Sequence, residues 1–171
     1  MYENSRILYP KIKTWAHPEG GWFKEVYRSN EIIMKSALFG RYSNERAFST
    51  SIYFLLESEQ KSLLHKLNSD EIWHFYDGSP LKLFLLDKDG NVSEIHLGRN
   101  LDKEEVLQFT IPNGQWFCAE VQDKDSFTLT GCTVSPGFDF SDFELGAREK
   151  LFKLFPHHKD FIVKFTSGNN N

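Results

Sequence analysis

Eight short strand-like runs, separated by turn residues, dominate this sequence between residues 47 and 135. Apolar side chains recur in each run, and clusters of Gly, Pro, Asn or Asp stand between several of them. The runs cover residues 47–56, 62–67, 71–76, 81–86, 92–97, 105–111, 116–121 and 126–134. No helical crossover lies between them, which argues against a parallel α/β sheet. This spacing predicts an antiparallel sandwich or barrel.

The length and composition favour one domain. A chain of 171 residues, 40% of them hydrophobic, can bury one substantial core, so residues 1–171 are expected to form a single unit. Residues 1–30 are a lead-in with a short helix interrupted at Pro10, and residues 47–135 form the barrel. Ser141 and Glu144 have the spacing of a capping box, which predicts a C-terminal helix over residues 141–155. A disordered tail is expected over residues 167–171.

Charge and hydropathy exclude several classes of partner. The 20 Lys and Arg residues against 24 Asp and Glu residues give a net charge of -4, without a basic stripe for nucleic acid. No apolar run is long enough to span a bilayer, and the polar start lacks the order of a signal peptide. We therefore expect a cytoplasmic protein that binds neither nucleic acid nor membrane. Cys118 and Cys132 have no metal-binding spacing and are expected to be buried free thiols.

Two side chains that can bind a metal or transfer a proton, His65 and Glu71, stand close together in the sequence. Glu71 begins an aromatic run that ends at Gly78, and His65 precedes that run. Their spacing suits a metal site or an acid–base pair, because imidazole nitrogen and carboxylate oxygen serve both chemistries. Alternation along a strand places Trp73 and Phe75 on the same face as Glu71. The 16 Phe, 6 Tyr and 4 Trp residues exceed what a small core needs, which favours an aromatic pocket or an oligomer interface.

Neighbouring strands are expected to complete this pocket. Tyr53 is a third catalytic candidate beside His65 and Glu71. Gln115 and Phe117 share a strand face and are candidates for ligand binding. Trp116 is a further ligand-binding candidate, although a core position explains it equally well. His74 turns to the opposite face unless a β-bulge intervenes.

Motifs in a fixed order resemble the DUF985, or cupin-5, family of the cupin superfamily. They are HPEGG at 17–21, YRS at 27–29, SIYFLL at 51–56, His65 followed by DEIWHFY at 70–76, PNGQWF at 112–117 and GCTVSPGFDF at 131–140. The resemblance implies a double-stranded β-helix, or jelly roll, that forms a homodimer through its N-terminal strands. Within residues 1–30 it therefore implies a dimerisation strand. Trp22, Phe23 and Tyr27 are expected in the dimer contact.

Metal-binding cupins, by the same resemblance, place two His and a Glu in the first motif and a third His on a later strand. This chain has Leu67 and Phe117 where two of those His residues would stand. A stable site needs at least three protein ligands, so we expect no resident metal or other cofactor. A weakly held, adventitious divalent ion is compatible with this expectation.

Three functions remain open. The first is a cupin that binds a small polar ligand, such as a sugar, a sugar phosphate or a nucleotide-linked sugar. The second is a metal-independent isomerase or epimerase, in which His65 abstracts a proton and Glu71 or Tyr53 orients or returns it. The third is a non-catalytic binding or storage-like module. A plain structural hydrogen bond between His65 and Glu71 explains those two residues as well as catalysis does.

Overall fold

Antiparallel strands build most of the computed structural model, which describes residues 15–168. The strands are β1 (Trp15–Ala16), β2 (Trp22–Arg28), β3 (Ile32–Ile33), β4 (Arg46–Ala47), β5 (Thr50–Glu57), β6 (Ser62–Leu67), β7 (Asp70–Gly78), β8 (Leu81–Leu86), β9 (Val92–Leu97), β10 (Gln108–Ile111), β11 (Trp116–Val121), β12 (Phe127–Ser135) and β13 (Phe143–Leu145). The helices are α1 (Arg148–Leu154) and α2 (Lys159–Lys164), with short 3-10 turns at Lys35–Ala37, Leu101–Lys103 and Phe140–Asp142. The prediction of a mainly β fold is confirmed.

Two sheets face each other across the core. One sheet has six strands in the order β1, β2, β5, β12, β7, β10, and the other has five in the order β13, β6, β11, β8, β9. A separate ribbon pairs β3 with β4. Central strand β12 places Cys132 opposite both Ile52 of β5 and Trp73 of β7. This register brings side chains from three strands to one face of the sheet, where they can form a common wall.

The sheets close over an aromatic and aliphatic core. Phe54, Trp73, Leu83 and Phe117 are each at most 2% exposed and belong to this cluster. Alternation on β11 turns Trp116 and Cys118 to the opposite face, where they pack with Leu151 and other residues of the C-terminal helices in a second cluster. Trp116 therefore occupies a core position on the outer side of the five-stranded sheet.

Strand positions follow the sequence closely, because turn residues bound the apolar runs. The predicted runs 62–67, 81–86, 92–97 and 116–121 coincide with β6, β8, β9 and β11. The remaining runs differ from the observed strands by one to three residues at their ends.

The predicted C-terminal helix is confirmed, but within the predicted span 141–155 it covers only Arg148–Leu154. The Asp139 side chain accepts a hydrogen bond from the Ser141 amide and starts a 3-10 turn, after which β13 pairs with β6. Helix α1 begins only at Arg148, and α2 follows it. Pairing with the edge of β6 gives the backbone N–H and C=O groups of residues 143–145 more hydrogen bonds than a capping box would. The strand therefore forms in place of the first turn of the predicted helix. The predicted N-terminal helix and residues 169–171 of the predicted tail lie outside the described residues.

None of the helices within residues 15–168 has the length and apolar character needed to cross a membrane.

Candidate functional site

A cavity of about 240 Å³ lies between the two sheets. Strands β2, β5, β7 and β12 supply one wall, and β6 supplies residues of the other. The turn that precedes β2 and the segment that follows β12 complete the lining. The cavity therefore collects side chains from parts of the chain that are far apart in sequence.

The Glu19 carboxylate is the centre of a buried polar cluster in this lining. Its Oε1 atom accepts a hydrogen bond of 2.8 Å from the Ser62 hydroxyl. Its Oε2 atom lies 3.1 Å from Nε2 of His65 and 3.3 Å from Nδ1 of His17. Burial by itself would raise the pKa of Glu19, but His65, His17 and Ser62 lower it below the ordinary value.

Both ring nitrogens of His65 lie at hydrogen-bonding distance from protein oxygens. The Nδ1 atom is 2.6 Å from the Leu63 carbonyl oxygen, and the Nε2 atom is 3.1 Å from Glu19 Oε2. Burial lowers the pKa of His65, and the Glu19 charge opposes that effect. His65 therefore links the Glu19 carboxylate to β6.

A tight turn places Glu19 at this position. The Gly20 amide donates to the His17 carbonyl oxygen, and the Leu63 amide donates to the Glu19 carbonyl oxygen at 2.8 Å. Gly20 has a φ of 106°, which is open to glycine but strained for other residues. The first hydrogen bond closes the turn and the second ties it to β6, so the Glu19 side chain is held beside His65.

Glu71 is a second buried acid in the cavity lining. It is 7% exposed, and its Oε2 atom has no hydrogen-bond partner in the described part of the chain. Burial, reinforced by the Glu19 charge, raises the pKa of Glu71 to about 8, although the neighbouring Trp73 and Cys132 side chains act to lower it without meeting the geometry of a hydrogen bond at Oε2. The Nε1 atom of the neighbouring Trp73 is likewise buried without a partner among residues 15–168. At neutral pH the two side chains therefore supply hydrogen-bond donors to this wall.

Charged and aromatic side chains form the more exposed part of the cavity. The Arg28 guanidinium forms two hydrogen bonds with the Glu25 carboxylate, at 3.1 and 2.6 Å. Its Nη1 atom donates to the Phe138 carbonyl oxygen at 3.2 Å. Asp139 and Phe140 are exposed beside this pair and also line the cavity. We call Glu25, Arg28, Asp139 and Phe140 the mouth of the cavity.

Comparison with known proteins places this architecture in a family. The family described as Cupin superfamily (DUF985) matches residues 11–146. The chain belongs to this cupin family. An uncharacterized protein of Saccharomyces cerevisiae is 31% identical over 153 residues, which cover 83% of this chain and 76% of the yeast protein. The resemblance inferred from the motifs is therefore confirmed.

Solved structures agree with this assignment. A protein from Shewanella oneidensis is 32% identical to this cupin, with a TM-score of 0.86 and coverage of 99% of both chains. A hypothetical protein from Leishmania major is also 32% identical, with a TM-score of 0.85 and coverage of 95% of this chain and 98% of the other. These similarities extend over almost the whole chain and agree with the mainly β, jelly-roll fold of the described residues.

The protein contacts of His65 compete with metal binding in this cupin. Residues 15–168 contain no group of three or more His, Cys, Asp or Glu side chains that could hold one. Leu67 lines the cavity, and the Phe117 ring packs with its centroid 4.0 Å from that of His65. Both nitrogens of His65 are already engaged with protein oxygens. An ion at this position would have to displace those contacts.

The structure brings only some of the predicted site residues together. His65, Glu71 and Trp73 all line the cavity, but His65 contacts Glu19 rather than facing Glu71 in an ion pair. Phe75 and Phe117 are buried in the core behind the cavity. The predicted roles of all five residues in binding or catalysis stay predictions.

Three other candidates lie elsewhere in this cupin. Ile52 and Phe54 line the cavity, so strand alternation turns Tyr53 to the opposite face, where its ring is 6.0 Å from that of Tyr76. The expectation that Tyr53 shares the pocket is therefore corrected. Gln115 and Trp116 border a separate depression beside Leu154 of α1. His74 donates to or accepts from Thr133 Oγ1, outside the cavity lining.

Sequence reasoning missed Glu19 and His17 as site residues. They belong to the motif at residues 17–21, and nothing local indicates that this motif contacts β6. Phe23 is expected in a dimer contact, yet it lines the cavity of its own chain together with Glu25 and Arg28. The signal that could have found them is alternation on β2, which gives Phe23 and Glu25 a common face.

Proposed function

We propose that this cupin binds a small polar ligand of the sugar, sugar phosphate or nucleotide-linked sugar type in the cavity. The observation that supports the proposal is a pair of buried polar atoms, Glu71 Oε2 and Trp73 Nε1, that have no hydrogen-bond partner within residues 15–168. A buried polar atom without a partner costs about 1–3 kcal/mol, so such atoms are rare unless something else satisfies them. A ligand oxygen close to both groups would remove that cost.

The surroundings of these two atoms suit a ring with hydroxyl groups. Because the pKa of Glu71 is about 8, its carboxyl group is protonated at neutral pH and can donate, as the indole of Trp73 does. The rings of Phe23 and Phe54 supply apolar surface on the same sheet. A few polar groups on an apolar wall are typical of small-molecule sites.

The cavity size limits what can be enclosed. A volume of about 240 Å³ is smaller than that of most ligand pockets, which commonly have roughly 300–1,000 Å³. One sugar-sized ring therefore fits between the sheets, and a nucleotide or second sugar would extend through the mouth.

A thermal-shift and calorimetric screen of monosaccharides, sugar phosphates and nucleotide sugars tests the proposal. We expect one chemical class to stabilise the wild-type protein, and Glu71→Leu and Trp73→Phe, which remove the polar groups, to weaken that binding. Glu31→Leu is the matched control, because Glu31 is exposed and lies outside the cavity lining. A broad panel that gives no shift, or binding unaffected by either cavity variant, would contradict the proposal.

A second function, proton transfer at a carbon next to a carbonyl, is favoured by one observation. The pKa of Glu71 lies near neutrality, which suits a group that must both donate and accept a proton. His65 is engaged at both nitrogens, so Glu71 replaces His65 as the residue that would exchange a proton with the substrate. The Glu19–His65 pair would hold the neighbouring wall in place.

Solvent-exchange measurements separate this isomerase or epimerase function from binding alone. In deuterated water, an active enzyme would incorporate deuterium into a bound keto or aldo sugar, and Glu71→Gln would abolish the exchange. Exchange that persists in Glu71→Gln would eliminate Glu71 as the proton carrier. Binding without any exchange would leave a non-catalytic binding module.

A further inference from the structure

The mouth of the cavity has more carboxylates than cations. Glu25 and Asp139 carry the carboxylates, and Arg28 is the cation that lines the cavity within residues 15–168. Glu25 holds Arg28 through two hydrogen bonds, and the Phe138 carbonyl oxygen takes a further donor. The guanidinium is therefore committed to protein oxygens before any ligand arrives.

Asp139 remains as an excess negative charge. Its side chain accepts a 2.8 Å hydrogen bond from the Ser141 amide, which lowers the pKa of Asp139 below its ordinary value. The Glu19–His65 pair and the protonated Glu71 add no positive charge deeper in the cavity. A phosphate group entering the mouth would meet this excess carboxylate and a guanidinium that is already paired.

Aromatic rings surround the same opening. The centroids of Phe138 and Phe140 are 5.0 Å apart with the planes at 80°, and Phe143 lies 6.3 Å from Phe140. The His17 ring stacks 6.1 Å from Phe140. Aromatic faces carry partial negative charge, so the exposed Phe140 ring attracts a cation placed over its free face, beside the other two rings.

The ring cluster is held in place by backbone contacts. The Phe138 amide donates to Thr50 Oγ1 at 2.9 Å, and the Gly137 amide donates to the Ala47 carbonyl oxygen at 2.7 Å. Asp142, at the end of the same segment, forms a buried ion pair with Arg46. A site whose groups are already positioned loses less conformational entropy when it binds.

From this geometry we propose that the ligand carries a protonated amine, which sits among Phe138, Phe140 and Phe143 with Glu25 and Asp139 as its counterions. This inference rests on the proposed function and narrows it. The hydroxyl-bearing end of the ligand lies toward Glu71 and Trp73, and the ammonium lies at the mouth. The ligand class is then an amino sugar or a similar polyhydroxy amine, and phosphate esters are disfavoured.

Matched trios of compounds test the charge preference directly. Glucose, glucosamine and glucose 6-phosphate form one trio, and the galactose and mannose analogues form two more. Calorimetry and saturation-transfer NMR at one ionic strength would compare the three members. We expect the amine of the preferred trio to bind about tenfold more tightly than the neutral sugar, with the phosphate weakest. Added salt should weaken the amine most.

Two variants test whether the carboxylates of the mouth cause the preference for the amine. Asp139→Asn keeps an oxygen for the Ser141 amide but removes the charge, and Glu25→Gln also frees Arg28. In both we expect the amine to lose about tenfold in affinity relative to the neutral sugar, and in Glu25→Gln the phosphate should gain. Glu31→Gln, an exposed carboxylate outside the cavity lining, should leave all affinities unchanged.

The outcomes separate this inference from the proposed function. A phosphate member that binds most tightly, or an amine preference that survives both mouth variants, overturns the amine site while sugar binding stands. Failure of every trio to bind the wild-type protein overturns sugar binding and the amine site together.

Discussion

Glu19 Oε2 lies 3.1 Å from His65 Nε2, and the two side chains are 6% and 2% exposed. Because the Leu63 carbonyl oxygen takes the other nitrogen of His65, the imidazole bridges β6 and the turn before β2. Ser62 binds the second oxygen of Glu19. The histidine of the first motif is thus a positioning residue for a carboxylate that comes from a different part of the chain.

Removing the Glu19 carboxylate should destabilise the fold. Glu19→Ala leaves His65 and Ser62 buried without their partner, and we expect a loss of about 3 kcal/mol in the free energy of unfolding. Glu19→Gln keeps an acceptor for Ser62 and a donor for His65, so its loss should be near 1 kcal/mol. Urea denaturation at pH 7 measures both. A Glu19→Ala protein within 1 kcal/mol of wild type would show that the cluster contributes little.

The same carboxylate predicts a pH dependence. The pKa of Glu19 is lower in the folded state than its ordinary value of 4.5, so its contribution to stability is present above pH 4.5. It is lost as the pH falls through the folded-state pKa. The stability difference between wild type and Glu19→Gln should therefore shrink on acidification, and a difference that grows below pH 4.5 would contradict this assignment.

Glu71 should have the opposite effect on stability, which should fall as the pH rises. Its pKa of about 8 exceeds the ordinary 4.5, so the folded state keeps a proton that the unfolded chain releases. Wild-type stability should fall between pH 4.5 and pH 8, by an amount on the order of 4 kcal/mol at most, since each pKa unit corresponds to about 1.36 kcal/mol. Glu71→Gln should match wild type near pH 4.5 and be more stable at pH 8. Glu31→Gln is the control, and equal pH profiles for wild type and Glu71→Gln would refute the shifted pKa.

The buried ion pair behind the ring cluster should contribute more to the free energy of unfolding than an exposed one. Arg46 and Asp142 are 1% and 4% exposed and are joined by hydrogen bonds of 2.6 and 2.7 Å. Arg46→Met leaves a buried carboxylate unpaired and should cost about 3 kcal/mol. Arg99→Met breaks a pair that is 63% and 58% exposed and should cost less than about 1 kcal/mol. Similar losses in the two variants, measured by chemical denaturation, would mean that burial is not the deciding factor.

Gly20 should not accept a side chain. A Cβ there would lie 2.2 Å from the Lys61 carbonyl oxygen at a φ of 106°, so we expect Gly20→Ala to cost about 3 kcal/mol. Gly114 also has a positive φ, but no atom lies close to an added Cβ, so Gly114→Ala should lower the free energy of unfolding by only about 1 kcal/mol. Gly40→Ala has neither problem and should be within about 0.5 kcal/mol of wild type. Thermal and urea unfolding of the three variants would rank them, and a tolerant Gly20 would be inconsistent with the tight turn.

The strands were predictable because their signals are local. Turn glycines and prolines bound runs of apolar residues, and four predicted strands coincide with observed ones. The C-terminal region was not predictable in the same way. The capping pattern at Ser141 was overruled when residues 143–145 paired with β6, which is a long-range hydrogen-bonding choice.

The candidate site shows the same difference between local sequence signals and long-range packing. The sequence alone determined that His65, Glu71 and Trp73 belong to strands of a cupin barrel, since motif order and strand alternation are properties of neighbouring residues. Tertiary structure alone decided that Glu19, rather than Glu71, partners His65, and that Tyr53 faces away from the cavity. It also decided that Phe138 and Phe140 meet Glu25 at one mouth. Those contacts depend on how two sheets register and close, and closure is governed by packing among distant residues rather than by any local pattern.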